Sequence, residues 1–250
     1  MDIPEFSECS YYIKGTDCGP DDGILMSVLV GDIQEAAEKG ASDCGFDTHD
    51  INKLNACWIV LRNRIHMIRI PKWRETITIR TWHTGVDKFY FGREYEIFDE
   101  AGSVIGYATS IWIIADINDH RPIVPGRTKG FDTAGSQNSK MVFGSPCPKL
   151  KTPARPEEKP AIIKYADYSE LDHNHNVNNS RYLAWIYDAI HKNGYDTAKI
   201  NDININYLNE VKDSERVDVF VVPEESGNIR VYGYKNNDIG VFAAELVYSQ

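Results

Sequence analysis

One short segment of this sequence holds an unusual density of side chains that can bind water, transfer protons or accept hydrogen bonds. It reads Asp-His-Asn-His-Asn-Val-Asn-Asn over residues 172–179, and an apolar helix pattern follows from Ser180 to Lys192. The first turn of a helix offers backbone N–H donors and a partial positive charge. Such donors suit the negative charge that develops on a carbonyl oxygen during acyl transfer. The segment is therefore the first candidate for a catalytic site.

Part of this segment also has a purely structural interpretation. Asn178 or Asn179 is predicted to cap the helix, because an asparagine amide oxygen accepts from the free N–H groups of the first turn. Two histidines, His173 and His175, stand beside Asp172 and could ligate a metal ion. Asparagine is a poor zinc ligand, however, and no further histidine or cysteine lies nearby in the sequence. We therefore expect no metal and no cofactor.

Composition and missing motifs argue against several other classes of function. The net charge of −10 disfavours broad nucleic-acid binding, which needs clustered Lys and Arg. The sequence has no Gly-x-Ser-x-Gly string, no phosphate loop and no dinucleotide fingerprint. Its five cysteines are scattered and never spaced as CxxC, which indicates free thiols in a reducing compartment. An acidic start and the lack of an apolar run of about 20 residues predict a cytoplasmic protein without a membrane span.

A proline-rich stretch divides the chain. Five prolines occur between Ser145 and Pro160, and proline can neither continue a helix nor donate to a sheet. We predict a semi-rigid linker over residues 145–160. It separates an N-terminal domain, residues 1–144, from a C-terminal domain, residues 161–250.

Both halves show the same order of elements, which is a strand, one amphipathic helix and then four strands. In the first half the patterns are Phe6–Lys14, the helix Met26–Gly40, Trp58–Ile70, Thr76–Trp82, Phe89–Phe98 and Val104–Ile117. In the second half they are Ala161–Lys164, the helix Ser180–Lys192, Ile203–Leu208, Arg216–Val222, Asn228–Tyr234 and Ile239–Tyr248. This order predicts an α+β fold in which each half wraps an antiparallel sheet around one long helix.

The two halves also share letters. Tyr12–Asp17 can be aligned with Ile162–Asp167 at an offset of 150, which places Asp22 over Asp172. Beyond Asp22 the first half continues with Gly-Ile-Leu-Met and lacks the polar string. We therefore expect one active site per chain, in the second half, with the first half as a scaffold or an acyl-chain pocket whose own site is degenerate.

The segment Leu171–Trp185 resembles the signature of the acyl-ACP thioesterase family, which reads Asp-x-Asn-x-His-Val-Asn-Asn, two variable positions, and then a Tyr and a Trp. Two further stretches, Trp58–Ile65 and Pro71–His83, resemble the first domain of that family, so the likeness covers nearly the whole chain. The resemblance implies two tandem hot-dog domains and the hydrolysis of a fatty acyl thioester.

Residue by residue, the resemblance implies catalytic or positioning roles for Asp172, Asn174 and Glu210. Val211 stands where the family has a cysteine, which excludes a thiol nucleophile at that site. The family's histidine position is occupied by Asn176. A histidine, His175, stands one residue earlier and is kept as a candidate for the catalytic site. Side chains at adjacent positions point in different directions, so His175 does not simply replace the family's histidine.

The expected mechanism is direct attack by water. Glu210, partly desolvated between sheet and helix, would act as general base, and Asn174 would hold the water or the base. Asp172 would fix the turn or help to orient the water. The oxyanion site would be formed by backbone N–H groups of four residues, namely Asn176, Val177, Asn178 and Asn179.

A local charge pattern suggests how a carrier would be recognised. Residues 121–160 hold eight basic and three acidic side chains, although the chain as a whole is acidic. An acidic acyl carrier protein would be steered towards such a segment. A charged, solvated linker explains the same pattern.

The other open alternatives are an acyl-CoA thioesterase, a catalytically silent acyl-binding protein and, on fold grounds alone, a dehydratase. Both a monomer and a homodimer remain open.

Overall fold

A computed structural model describes residues 4–124, 136–236 and 238–248 of the chain. The chain divides into two compact units, Met1–Ile24 with Leu29–Cys147, and Leu25–Val28 with Pro148–Gln250. Each unit combines one antiparallel sheet with one long helix, as the α+β prediction requires. No helix among the described residues is long and apolar enough to cross a membrane.

The first unit contains five strands in the order β1-β3-β4-β5-β2. Its elements are β1 (Ser7–Tyr12), α1 (Met26–Asp43), α2 (Thr48–Asn52), β2 (Ala56–Met67), β3 (Thr76–Asp87), β4 (Tyr90–Phe98) and β5 (Val104–Asp116). All neighbouring strands in this unit are antiparallel. The short helix α2 is absent from the sequence-based prediction; it begins after Asp47, whose side chain accepts a hydrogen bond from the N–H of Asp50.

The second unit repeats the plan with five strands in the order β7-β10-β9-β8-β6. Its elements are β6 (Ile162–Tyr165), α3 (Asn179–Lys192), β7 (Ile200–Tyr207), β8 (Arg216–Pro223), β9 (Ile229–Lys235) and β10 (Ile239–Tyr248). All ten predicted strands and both predicted long helices are confirmed, with bounds that shift by a few residues. Alternating and helical apolar patterns locate elements well because each element must bury one face.

The apolar stripe of each long helix is buried. In α1 it comprises Leu29, Val30, Ile33, Ala36 and Ala37. In α3 the five stripe residues are at most 2% exposed: Tyr182, Trp185, Ile186, Ala189 and Ile190. A stripe of this width requires a sheet or a second helix to cover it, and here the sheet of the same unit contributes Tyr207 and Phe242 against Tyr182.

The expected linker is bound to the second unit along part of its length, so it is not a free spacer. Leu150 donates its N–H to Asn206 Oδ1 at 2.8 Å, and the Tyr234 hydroxyl donates to the Pro153 carbonyl oxygen at 2.9 Å. Arg155 forms an ion pair with Asp218 at 2.6 Å. Proline lacks an N–H donor, but its carbonyl oxygen still accepts, and side chains of the sheet supply the missing donors.

The structure contains the internal repeat, but its register differs from the offset of 150 that was obtained by aligning the two sequence segments. A single turn of 3-10 helix spans Gly15–Asp17 in the first unit and Tyr168–Glu170 in the second, an offset of 153. The hydrogen bonds that follow keep this register. Gly19 therefore corresponds to Asp172, and Asp22 corresponds to His175. Short strings of identical letters can recur by chance, whereas the backbone hydrogen bonds of a turn have a unique spacing.

Candidate active site

Asp172 organises the polar turn in the way expected for a residue that fixes the loop. Its carboxylate atom Oδ1 accepts the N–H of Asn174 at 2.8 Å and the N–H of Asn176 at 3.2 Å. Its own N–H donates to the Asn176 carbonyl oxygen at 2.8 Å. His175, at the exposed tip, has a φ of 61°, a left-handed conformation that this tight turn imposes.

The turn leads directly into α3, and Asn178 caps that helix. The side-chain oxygen of Asn178 accepts the N–H of Ser180 at 2.9 Å, and its backbone carbonyl accepts the N–H of Arg181 at 2.8 Å. The capping role predicted for Asn178 or Asn179 is therefore confirmed for Asn178. Asn179 is the first residue of the helix.

Three of the four expected oxyanion donors are already used by the protein. The N–H of Asn176 donates to Asp172, that of Val177 donates to the Val211 carbonyl oxygen at 2.8 Å, and that of Asn178 donates to the Glu170 carbonyl oxygen at 2.9 Å. These three groups build the turn and cannot also bind a substrate oxygen in this conformation. The expectation fails for them because a tight turn uses its own N–H groups to close.

Glu210 lies next to this turn although it is distant in the sequence. The hydrogen bond from Val177 to Val211 and an antiparallel bridge between Asn176 and Lys212 align the turn with the segment that follows β7. Glu210 immediately precedes Val211 in that segment and is partly buried. The structure thus brings together Asp172, Asn176 and Glu210.

Asn176 is the most unusual polar side chain in the site. The residue is only 8% exposed, and its side-chain oxygen Oδ1 is buried without a hydrogen-bond partner. A buried acceptor left in this way costs about 1–3 kcal/mol. Asn174 and His175, by contrast, are exposed to solvent. Among the asparagines of the turn, Asn176 is therefore the one placed to receive a hydrogen bond from a molecule inside the site.

Tyr182 belongs both to the buried stripe of α3 and to the family signature, in which a tyrosine follows the polar string after two variable positions. Burial raises the pKa of its phenol, and the neighbouring Tyr207, Glu210 and Asp172 raise it further, whereas the backbone amide of Val211 lowers it.

The first unit has no polar counterpart of this site at the corresponding positions. Its turn closes in the same manner, since Gly19 donates to the Gly23 carbonyl oxygen and Ile24 to that of Pro71. In the repeat register, the positions of Asp172, Asn176, Tyr182 and Glu210 are occupied in the first unit by apolar residues or glycine. These residues are, in the same order, Gly19, Gly23, Leu29 and Ile70. This difference supports the hypothesis of one site per chain.

The basic segment is only partly described, and some of its charges are paired. Arg127 and Lys129 lie outside the described residues. Lys140 pairs with Glu96 at 2.6 Å in the first unit, and Arg155 pairs with Asp218 in the second. The exposed basic residues that remain in the proline-rich stretch are Lys149, Lys151 and Lys159.

Two family models match the chain. Residues 5–124 match the acyl-ACP thioesterase N-terminal domain, and residues 152–241 match the acyl-ACP thioesterase C-terminal domain. Among curated relatives, oleoyl-acyl carrier protein thioesterase 2 of Arabidopsis thaliana, a chloroplastic protein, is 25% identical over 242 residues. That match covers 88% of this chain and 63% of the relative, so the chain spans about three fifths of the length of this relative.

Two solved structures share the fold over nearly the full length. An acyl-ACP thioesterase from Bacteroides thetaiotaomicron aligns with a TM-score of 0.84 and 23% identity, and the match covers 98% of each chain. The 12:0-ACP thioesterase from Umbellularia californica aligns with a TM-score of 0.80 and 17% identity, covering 100% of this chain and 99% of that one. The expected tandem hot-dog fold is confirmed.

Proposed function

The chain belongs to the acyl-ACP thioesterase family, and on that premise we propose that it hydrolyses the thioester of a fatty acyl carrier protein and releases a free fatty acid. One observation carries the proposal: a buried amide oxygen without a partner, Asn176 Oδ1, lies beside the segment that holds the carboxylate of Glu210. An acceptor of this kind beside a base is suited to binding a water molecule.

The geometry of the first unit supports the idea that the side chains of Asn176 and Glu210 lie close to each other. Gly23 and Ile70 occupy the positions that correspond to Asn176 and Glu210. A Cβ atom built on Gly23 would lie 3.0 Å from Cγ2 of Ile70. This close approach in the first unit supports a similar approach of the side chains at the equivalent positions of the second unit, Asn176 and Glu210.

The proposed reaction uses one water and no cofactor. One hydrogen of the water is held by Asn176 Oδ1 and the other is taken by Glu210, while the water oxygen attacks the thioester carbonyl carbon. When the tetrahedral intermediate collapses, the carbon–sulfur bond breaks and the proton on Glu210 passes to the departing carrier thiolate. A free acid and a free thiol result, and Glu210 is again ionised. General base catalysis of this kind contributes about 10²–10⁴-fold.

The remaining candidates receive supporting roles. Asp172 holds the turn through its two backbone hydrogen bonds. Asn179, at the first position of α3, is the fourth of the expected oxyanion donors, and we assign its N–H to the thioester carbonyl oxygen. The helix dipole favours negative charge at that end of α3. Asn174 and His175 lie at the exposed side of the turn, where an incoming carrier would approach.

The test is an assay of the purified protein on acyl-ACP and acyl-CoA substrates of matched chain length, with released thiol as the readout. We expect turnover of acyl-ACP, because the chain belongs to the acyl-ACP thioesterase family and the exposed Lys149, Lys151 and Lys159 would attract an acidic carrier. Faster turnover of acyl-CoA than of acyl-ACP would contradict this assignment and identify an acyl-CoA thioesterase. Binding without any thiol release would instead identify a silent acyl-binding protein.

A further inference from the structure

We propose that Glu170 is a positioning residue of this site, and that its hydrogen bond with the Trp185 indole fixes the polar turn on α3. The inference rests on the proposed function, because it explains how Asn176 is held in the direction of the attacking water. Glu170 is partly buried and ends the single turn of 3-10 helix that precedes the polar turn.

The carboxylate of Glu170 joins two segments of the second unit. Its atom Oε1 accepts the indole Nε1–H of Trp185 at 2.7 Å, and its atom Oε2 accepts the N–H of Asp167 at 3.1 Å. Trp185 is 0% exposed, so its indole donor must find a partner inside the protein. A hydrogen bond to a carboxylate is shorter and stronger than one between neutral groups. The bond therefore attaches the 3-10 turn firmly to the second turn of α3.

The backbone of the same residue closes the base of the polar turn. The carbonyl oxygen of Glu170 accepts the N–H of Asn178 at 2.9 Å, and an antiparallel bridge joins Leu171 to Val177 just inside that bond. Both ends of the turn thus meet at Glu170, and Asn176 lies between them. A movement of Glu170 would therefore move Asn176 as well.

Two attachments along α3 hold the turn on that helix. One is the N-cap Asn178, and the other is Trp185, which lies about 10 Å further along the axis at 1.5 Å per residue. A loop attached to a helix at one point can rotate about that point, whereas a second attachment removes this rotation. The bond between Glu170 and Trp185 is the second attachment, so it restricts the direction in which Asn176 faces.

The first unit shows that the fold does not require this bond. In the repeat register Asp17 corresponds to Glu170, and Asp32 corresponds to Trp185. Asp17 keeps the backbone contact of the 3-10 turn, since its Oδ2 accepts the N–H of Lys14 at 2.9 Å. Burial, and then the charge of Asp17, raise the pKa of Asp32 to about 6. Two acidic groups thus occupy the positions of the indole–carboxylate pair, which is found in the unit that carries the polar turn.

The first experiment compares Glu170→Gln and Glu170→Ala with the wild type in the acyl-ACP assay. Glutamine keeps an acceptor for the indole but loses the one for the Asp167 N–H, and alanine removes both. We expect kcat to fall about 10-fold in Glu170→Gln and about 100-fold in Glu170→Ala, because a misdirected turn impairs the attack of water. KM should change little, because the carrier still binds. A lower free energy of unfolding with an unchanged kcat would show a structural role alone and overturn the inference.

The second experiment tests whether Glu170 and Trp185 act as a pair. Trp185→Phe removes the indole N–H and should lower kcat about 10-fold or more. Combined with Glu170→Ala, it should lower kcat no more than about twofold beyond the slower single variant, because the shared bond can be lost only once. Losses that multiply in the double variant would show two independent effects and overturn the inference.

Two matched controls lie in the first unit. Asp17→Asn removes the carboxylate at the equivalent position of the other 3-10 turn. Trp82→Phe removes an indole N–H that donates to the Lys140 carbonyl oxygen at 2.9 Å. Both variants should keep kcat within about twofold of the wild type. Losses in the controls as large as those in the Glu170 and Trp185 variants would show a general effect of stability and overturn the inference.

A third measurement does not depend on turnover. In ¹⁵N-labelled protein the indole resonance of Trp185 is assigned by its loss in Trp185→Phe. Glu170→Gln should move this indole proton upfield, because a neutral acceptor replaces a carboxylate, and should also shift the backbone amide of Asn176. An unmoved indole proton would overturn the contact, and an unmoved Asn176 amide would overturn the positioning role. Wild-type protein without turnover would overturn the proposed function, and these two resonances would still decide the inference.

Discussion

The backbone N–H of Val177 donates a 2.8 Å hydrogen bond to the carbonyl oxygen of Val211. This bond joins the polar turn at the start of α3 to the residue that follows Glu210, and it has a counterpart between Ile24 and Pro71 in the first unit. The same framework thus exists twice, and only in the second unit does it carry Asp172, Asn176 and Glu210, where the first unit has Gly19, Gly23 and Ile70. The chemistry proposed for the protein depends on these side chains and not on the framework.

Replacement of Glu210 by glutamine removes the proposed base at nearly constant shape. We expect kcat on acyl-ACP to fall about 10²–10⁴-fold, because the water is no longer deprotonated as it attacks. The matched control is Asp213→Asn, an exposed carboxylate in the same connection between β7 and β8. Steady-state kinetics with a circular dichroism check of folding measure both. Wild-type kcat in Glu210→Gln would remove Glu210 from the mechanism.

Two alanine variants distinguish which asparagine holds the water. Asn176 is buried with an unpartnered oxygen, whereas Asn174 is exposed. We expect Asn176→Ala to lower kcat about 10–100-fold and Asn174→Ala to have a much smaller effect. The free energy of unfolding should change little in Asn176→Ala, because the variant also removes an unsatisfied buried acceptor. The reverse order of the two kinetic effects would return the role to Asn174.

The N-cap of α3 should contribute measurably to stability. Asn178→Ala removes the acceptor of the Ser180 N–H and is expected to lower the free energy of unfolding by about 1 kcal/mol. Asn179→Ala, one residue further and inside the helix, serves as the control and should be close to neutral. Urea unfolding monitored by circular dichroism gives both values. Equal losses in the two variants would contradict the assignment of Asn178 as the cap.

A buried carboxyl in the first unit predicts a pH dependence of stability. Glu94 is 2% exposed; burial raises its pKa from 4.5 to about 7, against the lowering effect of hydrogen bonds from the Thr109 hydroxyl and the Val142 N–H. Between these two pKa values the folded state binds more protons than the unfolded state. The free energy of unfolding should therefore fall by about 3 kcal/mol as the pH rises from 4.5 to beyond 7.

The variant that tests this effect is Glu94→Gln, which cannot ionise. The difference in unfolding free energy between pH 5 and pH 8 should be smaller in this variant, and an exposed control, Glu157→Gln, should behave as the wild type. Denaturant unfolding at a series of pH values measures the difference. An identical pH dependence in Glu94→Gln and wild type would show that Glu94 does not cause it.

Sequence alone located the ten strands and both long helices of the described residues, because apolar periodicity records which face of an element is buried. It also identified the polar turn, the cap and the candidate base, the last through the resemblance to a family. Three features depended on the tertiary structure. The repeat register follows from hydrogen bonds such as that of Gly19, which letters do not encode. The use of the Val177 and Asn178 N–H groups within the turn depends on how the chain closes there.

The third feature is the grouping of side chains around Glu210. The stripe pattern of α3 assigned Tyr182 to the core, but only the tertiary structure brings Tyr207 and Phe242 against its ring. Likewise, only the pairing of the polar turn with the segment after β7 places Glu210 next to that turn. Periodicity along one element reports that a side chain is buried, but it cannot report which distant residues meet it there. Residue types and their spacing therefore identified the elements and the candidate chemistry of this protein, and tertiary contacts decided which groups can act together.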